Sequence, residues 1–158
     1  MALINYSACE IIKVAIDIEK NGYQFYTEAS KLTRSKSVAE LFRSLAGEEI
    51  QHQIFFEGLA KLISQCEVNG TTRPDEYLAA IADASIIQQK RGMKAIAEKR
   101  LTDQEALDIA VQVEKNAILY YTELLRFVTE KEKGMVEELV AEEKKHLTKL
   151  TSIAKNLI

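Results

Sequence analysis

The sequence predicts an all-α domain, a four-helix bundle made of two duplicated helical hairpins joined by a long crossover. Three observations predict it. One proline and six glycines among 158 residues leave few turns, while the good helix formers Ala, Leu, Glu and Lys are plentiful. Apolar residues recur at three- and four-residue spacing over four long stretches. The chain also repeats itself. Residues 12–28 (IKVAIDIEKNGYQFYTE) and 107–123 (LDIAVQVEKNAILYYTE) agree at Ala15/Ala110, Glu19/Glu114, Lys20/Lys115, Asn21/Asn116, Tyr26/Tyr121, Thr27/Thr122 and Glu28/Glu123, 7 of 17 positions.

Each element follows from local signals. Ile11, Val14, Ala15, Ile18, Gly22, Phe25 and Tyr26 form one stripe of a first helix over residues 4–33. The polar run Thr33-Arg34-Ser35-Lys36 breaks it, and Ser37 with Glu40 reads as a capping box opening a second helix over 37–65. Asn69-Gly70-Thr71-Thr72 ends that helix, and Pro74 suits the first turn of another. Residues 75–97 read as one or two short helices inside a crossover at 66–102. Thr102 with Glu105 is a second capping box, opening a third helix over 103–127. Thr129 to Gly134 reads as a polar turn before a fourth helix over 135–157. Short turns make each hairpin antiparallel, and the crossover is long enough to set the second and third helices parallel. Residues 1–158 form one domain.

Bulk properties exclude several function classes. A net charge of −3 gives no reason to expect nucleic acid. No apolar run approaches the roughly 20 residues that a membrane helix needs. The opening MALINYSACEIIKVA lacks the basic start and continuous apolar core of a secretory leader. Cys9 and Cys66 form no CxxC pair and read as ordinary thiols, so the expected location is the cytoplasm.

The second and fourth helices also match, at Leu45/Leu139, Glu48/Glu142, Glu49/Glu143, His52/His146, Ala60/Ala154 and Lys61/Lys155. Both histidines of the chain therefore stand in one motif, Glu49-Ile-Gln-His52 and Glu143-Lys-Lys-His146. Residues three apart share a helix face, so each motif can offer a carboxylate and an imidazole to one metal. Glu19 and Glu49 are centred on residue 34, in the first turn, and Glu114 and Glu143 at the edge of the second. Each hairpin thus brings its two carboxylates to one level. Glu19 lies among Ala15, Ile16 and Ile18, and Glu114 among Ala110, Val111 and Val113. Acids on an inward stripe are costly unless paired or metal-bound. Two divalent ions neutralise four buried glutamates. The expected ligands are Glu19, Glu49, His52, Glu114, Glu143 and His146, with Glu49 and Glu143 bridging. Oxygen-rich ligation with one imidazole per ion suits iron or manganese, and zinc can take the same place. Tyr26 and Tyr121 follow Glu19 and Glu114 by two turns; they are either core aromatics or phenols that bond a ligand carboxylate of the opposite hairpin. Glu48 and Glu142 are expected to face solvent or the bundle edge.

One Glu from each of two helices with ExxH from the other two is the pattern of ferritin-like di-metal bundles. The segments IDIEKNGYQFYTEA, LFRSLAGEEIQHQIFFEGL, LTDQEALDIAVQVEKNAILYYTELL and LVAEEKKHLTKL resemble the rubrerythrin-like branch of that superfamily over essentially the whole chain. The resemblance implies a ferritin-like four-helix bundle, a cofactor of two iron ions, and redox chemistry on peroxide or dioxygen. Full rubrerythrins carry a rubredoxin-like domain with two CxxC pairs; this chain has neither, so the resemblance implies an external electron-donor protein. It also implies a homodimer, with hairpin exchange permitted by the crossover. Rubrerythrins usually add a Glu one turn after the third-helix ligand, where this chain has Ala117, and a Glu before the fourth-helix His in a pattern that here reads His146-Leu147. The symmetric ExxH pair is closer to the ferroxidase centre of bacterioferritin, whose haem-ligating Met falls at Ile50, so no haem is expected. The function expected is a di-iron oxidoreductase. Ferroxidase activity with iron storage or transfer, and a non-catalytic metal-binding bundle, are the alternatives.

Overall fold

The computed structural model describes residues 8–62 and 76–157. They form α1 (Ala8–Leu32), α2 (Lys36–Leu62), α3 (Glu76–Ala97), α4 (Asp103–Leu124) and α5 (Glu130–Asn156). No strand occurs among the described residues. The bundle proper is α1, α2, α4 and α5. The crossover departs from expectation: it holds one helix of 22 residues rather than one or two short ones. Asn69-Gly70-Thr71-Thr72, Pro74 and the last residues expected of the second helix lie outside the described residues.

Helix boundaries follow their caps. The Thr102–Glu105 capping box stands as expected, with Thr102 N–H donating to Glu105 Oε2 at 2.9 Å and Glu105 N–H to Thr102 Oγ1 at 3.2 Å. The Ser37–Glu40 box does not open α2. The helix begins at Lys36, and the Ser35 hydroxyl caps it at 3.5 Å from Val38 N–H. Asp103 accounts for the shift, because its carboxylate accepts from Arg34 N–H (2.9 Å) and Ser35 N–H (2.7 Å) and ties the first turn to the start of α4. α5 begins at Glu130, five residues before the expected start, because Glu132 accepts Thr129 N–H at 2.8 Å and carries the helix through Gly134. α3 ends with Lys99 in the left-handed region at φ 52°. Arg100 N–H reaches Ala95 O at 3.2 Å and Lys99 N–H reaches Ile96 O at 3.0 Å, a Schellman closure.

Cross-helix bonds give the directions. Tyr26 meets Glu114 while Tyr121 meets Glu19, so α1 and α4 are antiparallel. His52 meets Glu142 while His146 meets Glu48, so α2 and α5 are too. α2 and α4, each antiparallel to α1, therefore run parallel, and the two hairpins are related by an approximate two-fold axis. α3 lies across α1 and α4. Gly92 permits that contact, since a Cβ there would come within 2.7 Å of the Phe25 ring. Gln89 adds a buried bond to Ile18 O at 3.1 Å. The α2–α5 seam has no such cover among the described residues.

The apolar core falls into two clusters. One gathers Ile11, Ala15, Ile18, Phe56, Tyr120, Tyr121 and Val140, and the other Phe25, Tyr26, Phe42, Leu45, Ala110 and Leu150. On each bundle helix the residues between the clusters are the predicted ligands, so a polar layer crosses the middle of the core.

Cys9 is buried and disulfide-bonded, contrary to the expected free thiol. Cys66 lies outside the described residues. The expectation of a reducing cytoplasmic setting loses that support. No helix is long and apolar enough to cross a membrane among the described residues.

Candidate metal centre

The structure brings all six predicted ligand side chains together. Glu19, Glu49, Glu114, Glu143, His52 and His146 are each at most 4 % exposed, which isolates them from bulk water. They fall into two groups of four. Glu19, Glu49, His52 and Glu143 form one, and Glu49, Glu114, Glu143 and His146 the other, with one ligand atom per residue and all within 4.8 Å of one another in each group. Glu49 and Glu143 belong to both, as bridging residues must.

Local helix geometry produces this. The i, i+3 spacing sets Glu49 with His52 and Glu143 with His146 on the inward faces of α2 and α5. Both imidazoles turn Nδ1 inward. His52 Nδ1 lies 2.9 Å from Glu143 Oε1 and 3.5 Å from Glu19 Oε2. His146 Nδ1 lies 2.9 Å from Glu143 Oε2, 3.5 Å from Glu114 Oε2 and 3.8 Å from Glu49 Oε1. The rings stack with centroids 5.5 Å apart and planes 18° apart.

These contacts are close enough to be ion pairs, yet they lack hydrogen-bond alignment. Glu19 Oε2, Glu49 Oε1, both Glu143 oxygens and both Nδ1 atoms have no hydrogen-bond partner. Buried polar atoms are nearly always satisfied, so six that converge without bonding one another are aimed at a shared point. Carboxylate oxygens and imidazole nitrogens there are the donor set of a hard-to-borderline divalent cation. The residues fit a metal pair.

The electrostatics agree. Burial, then the charges of Glu19, Glu143 and Glu114, push the Glu49 carboxyl well above its ordinary range. Burial and the Glu143 charge raise Glu114 to about 8 despite His146. Burial opposes ionisation of Glu143, but His146 and His52 outweigh it and hold that carboxyl at about 2. Burial would lower both imidazoles; Glu143 and Glu19 instead push His52 up to about 11, and Glu114 and Glu143 push His146 up to about 10. Protons therefore compensate the carboxylates wherever cations do not.

Tyr26 donates to Glu114 Oε1 and Tyr121 to Glu19 Oε1, each phenol reaching across to the other hairpin. Burial and the neighbouring carboxylate raise both phenols well above their ordinary range, so they stay protonated donors. Phe25 packs against Tyr26 and Phe42, while Tyr120 donates to Ile11 O at 2.9 Å.

Residues 10–154 match the rubrerythrin family. The chain belongs to that family. No curated protein and no solved structure matches the chain significantly. Ala117, three residues after Glu114 on α4, is buried and supplies no further carboxylate.

Two features of the structure correct or extend the sequence reading. Glu48 and Glu142 do not simply face solvent. Glu142 Oε2 lies 2.9 Å from His52 Nε2, and Glu48 Oε2 lies 2.8 Å from His146 Nε2. Their recurrence in the repeat, each four residues before a histidine, was the available signal. Gly22 is the other. A Cβ there would stand 2.6 Å from Glu49 Oε2, so the glycine makes room for the Glu49 carboxylate.

Proposed function

We propose that this rubrerythrin-family protein holds two iron ions and reduces peroxide or dioxygen with electrons from an external donor protein. The observation that supports it best is the convergence of six buried ligand side chains in two groups sharing Glu49 and Glu143. When bound, iron supplies redox electrons and Lewis acidity toward an O–O bond. The chain supplies the rest. Four carboxylates offset the charge of two divalent ions. Glu19 and Glu114 are held in place by Tyr121 and Tyr26. The apolar clusters on both sides keep bulk water from the centre. Manganese or zinc suits the same donors.

A second reading is ferrous oxidation coupled to iron storage or transfer. The matched ExxH motifs and the buried Ala117 in place of a further carboxylate favour it.

Metal-free protein loaded anaerobically with Fe(II), then exposed in parallel to peroxide and to air, tests both. About two irons per chain, as expected for bundles with this ligand set, and a near-ultraviolet band rising faster with peroxide are the results expected of the oxidoreductase. Faster reaction with air, followed by uptake of further iron, would select the second reading. Trace metal only would overturn both.

A further inference from the structure

Inward, each imidazole presents Nδ1 to the carboxylate layer. Outward, each Nε2 meets an acid from the opposite hairpin, Glu142 for His52 and Glu48 for His146, at 2.9 and 2.8 Å. The two pairs are images of one another under the internal two-fold. Glu48, Glu142 and His52 line a cleft of about 440 Å³ between α2 and α5, together with Gln51, Lys145 and Lys149. Lys149 Nζ stands 3.9 Å from Glu48 Oε1. The side chains of Glu48 and Glu142 are 38 % and 54 % exposed, while those of the two imidazoles are 1 % and 4 % exposed. Each carboxylate thus caps a buried ring from the solvent side.

A neutral imidazole carries one proton, and the bond made by one nitrogen decides which nitrogen keeps its lone pair. An acceptor at Nε2 places the proton there and leaves Nδ1 free for a cation. The reverse tautomer would aim a proton at the ligand layer. Rotation of either ring about its Cβ–Cγ bond would break the same contact.

We propose that Glu48 and Glu142 are positioning residues of the metal centre, each fixing the tautomer and orientation of the histidine held by the opposite hairpin. The inference rests on the metal-centre reading. The assignment is crossed. Glu142 serves the Glu19, Glu49, His52, Glu143 group, and Glu48 the Glu49, Glu114, Glu143, His146 group. Each ExxH helix therefore supplies two ligands of its own and the acid that orients its partner's imidazole. The register between α2 and α5 becomes a condition of metal affinity.

The test is Co(II) titration of the metal-free full chain, followed by visible absorption and calorimetry. The wild type is expected to bind two equivalents. Glu142→Ala should weaken one of the two by about 10–100-fold and leave the other unchanged, because a lost acceptor behind a ligating imidazole has that effect. Glu48→Ala should weaken the other. Glu142→Gln and Glu48→Gln keep an acceptor oxygen and should recover most of the loss. In zinc-loaded, ¹⁵N-histidine-labelled protein, two slowly exchanging Nε2–H signals are expected, one of which disappears in each Ala variant and returns in each Gln variant. Two wild-type binding steps and both Nε2–H signals in the Ala variants would overturn the inference alone. Equal weakening of both steps, with a lowered melting point of the metal-free protein, would overturn it in favour of a purely structural role. A wild type that binds no Co(II) would overturn the metal-centre reading and this inference with it.

Discussion

At Gly22 the usual reason for removing a glycine from a helix meets an opposing one. Gly costs about 1 kcal/mol relative to Ala in a helix interior. Gly47 and Gly58 of α2 have open space where a Cβ would go. Gly22 does not, because Glu49 Oε2 occupies that space at 2.6 Å. The blocking atom is the far end of a flexible side chain, so the fold survives Gly22→Ala, but the carboxylate is pressed toward Glu19, Glu114 and Glu143. The expected result is a metal-free Gly22→Ala protein that gains nothing in urea denaturation, while Gly47→Ala gains roughly 0.5–1 kcal/mol. A full gain in the Gly22 variant would show that the Glu49 seat is not constrained. The six side chains that converge were legible in sequence because duplication raised a weak ExxH motif to a pair and placed both histidines in it. Gly22 and the acids Glu48 and Glu142 were not. A glycine on an apolar stripe looks like any small packing residue. The two acids sit at an exposed edge of their own helices, and only the distance between α2 and α5 reveals their partners.

Elements were legible to the extent that their ends carry local signals. The Thr102–Glu105 box placed the start of α4 to the residue, whereas α5 begins earlier than its polar first turn suggested because Thr129 and Glu132 cap it. α3 was underestimated. Only Leu78 and Ile81 of its buried residues are large and apolar; Ala82, Ser85, Gln89 and Gly92 are small or polar for a core-facing stripe, so its periodicity is faint. What holds it is a close approach that composition does not reveal. A methyl at Gly92 would meet Phe25 at 2.7 and 2.9 Å and Ile109 at 3.3 Å. Phe25 is fully buried against Tyr26 and Phe42 and has nowhere to retreat. Gly92→Ala should therefore destabilise the protein by about 1–3 kcal/mol, the range for overpacking a filled core, despite the better helix propensity of Ala. Hydrogen exchange should report the loss first in α3. An unchanged denaturation midpoint would mean that α3 rests on the bundle more loosely than the structure indicates.

For the whole molecule, the polar layer divides the core, and on the proposed reading its protonation couples folding to metal. Without cations, Glu114 keeps its proton up to about 8 and Glu49 is raised too. A carboxyl whose pKa is raised on folding adds stability that is complete below its ordinary range and disappears as pH climbs through the folded value. His52 and His146, raised to about 11 and about 10, behave alike, their contribution being complete below about 6.5 and lost toward those values. Glu143, held at about 2, contributes above its ordinary range and loses that contribution as pH falls toward 2. The metal-free bundle should accordingly be most stable in mildly acidic solution and weaken from about pH 5 to 9. Ligation requires the opposite state, with carboxylates ionised and Nδ1 unprotonated, so binding releases protons. Each proton released makes affinity rise about tenfold per pH unit, or about 1.4 kcal/mol. Melting points of metal-free and metal-loaded protein should therefore diverge as pH rises from 5.5 to 8.5, about as the metal-free form weakens. Calorimetric titrations in buffers of different ionisation enthalpy should show the released protons directly. A metal-induced shift independent of pH would mean that the carboxylates are already ionised and the imidazoles already neutral in the metal-free protein, and that convergence of their atoms is held by packing from the two apolar clusters alone.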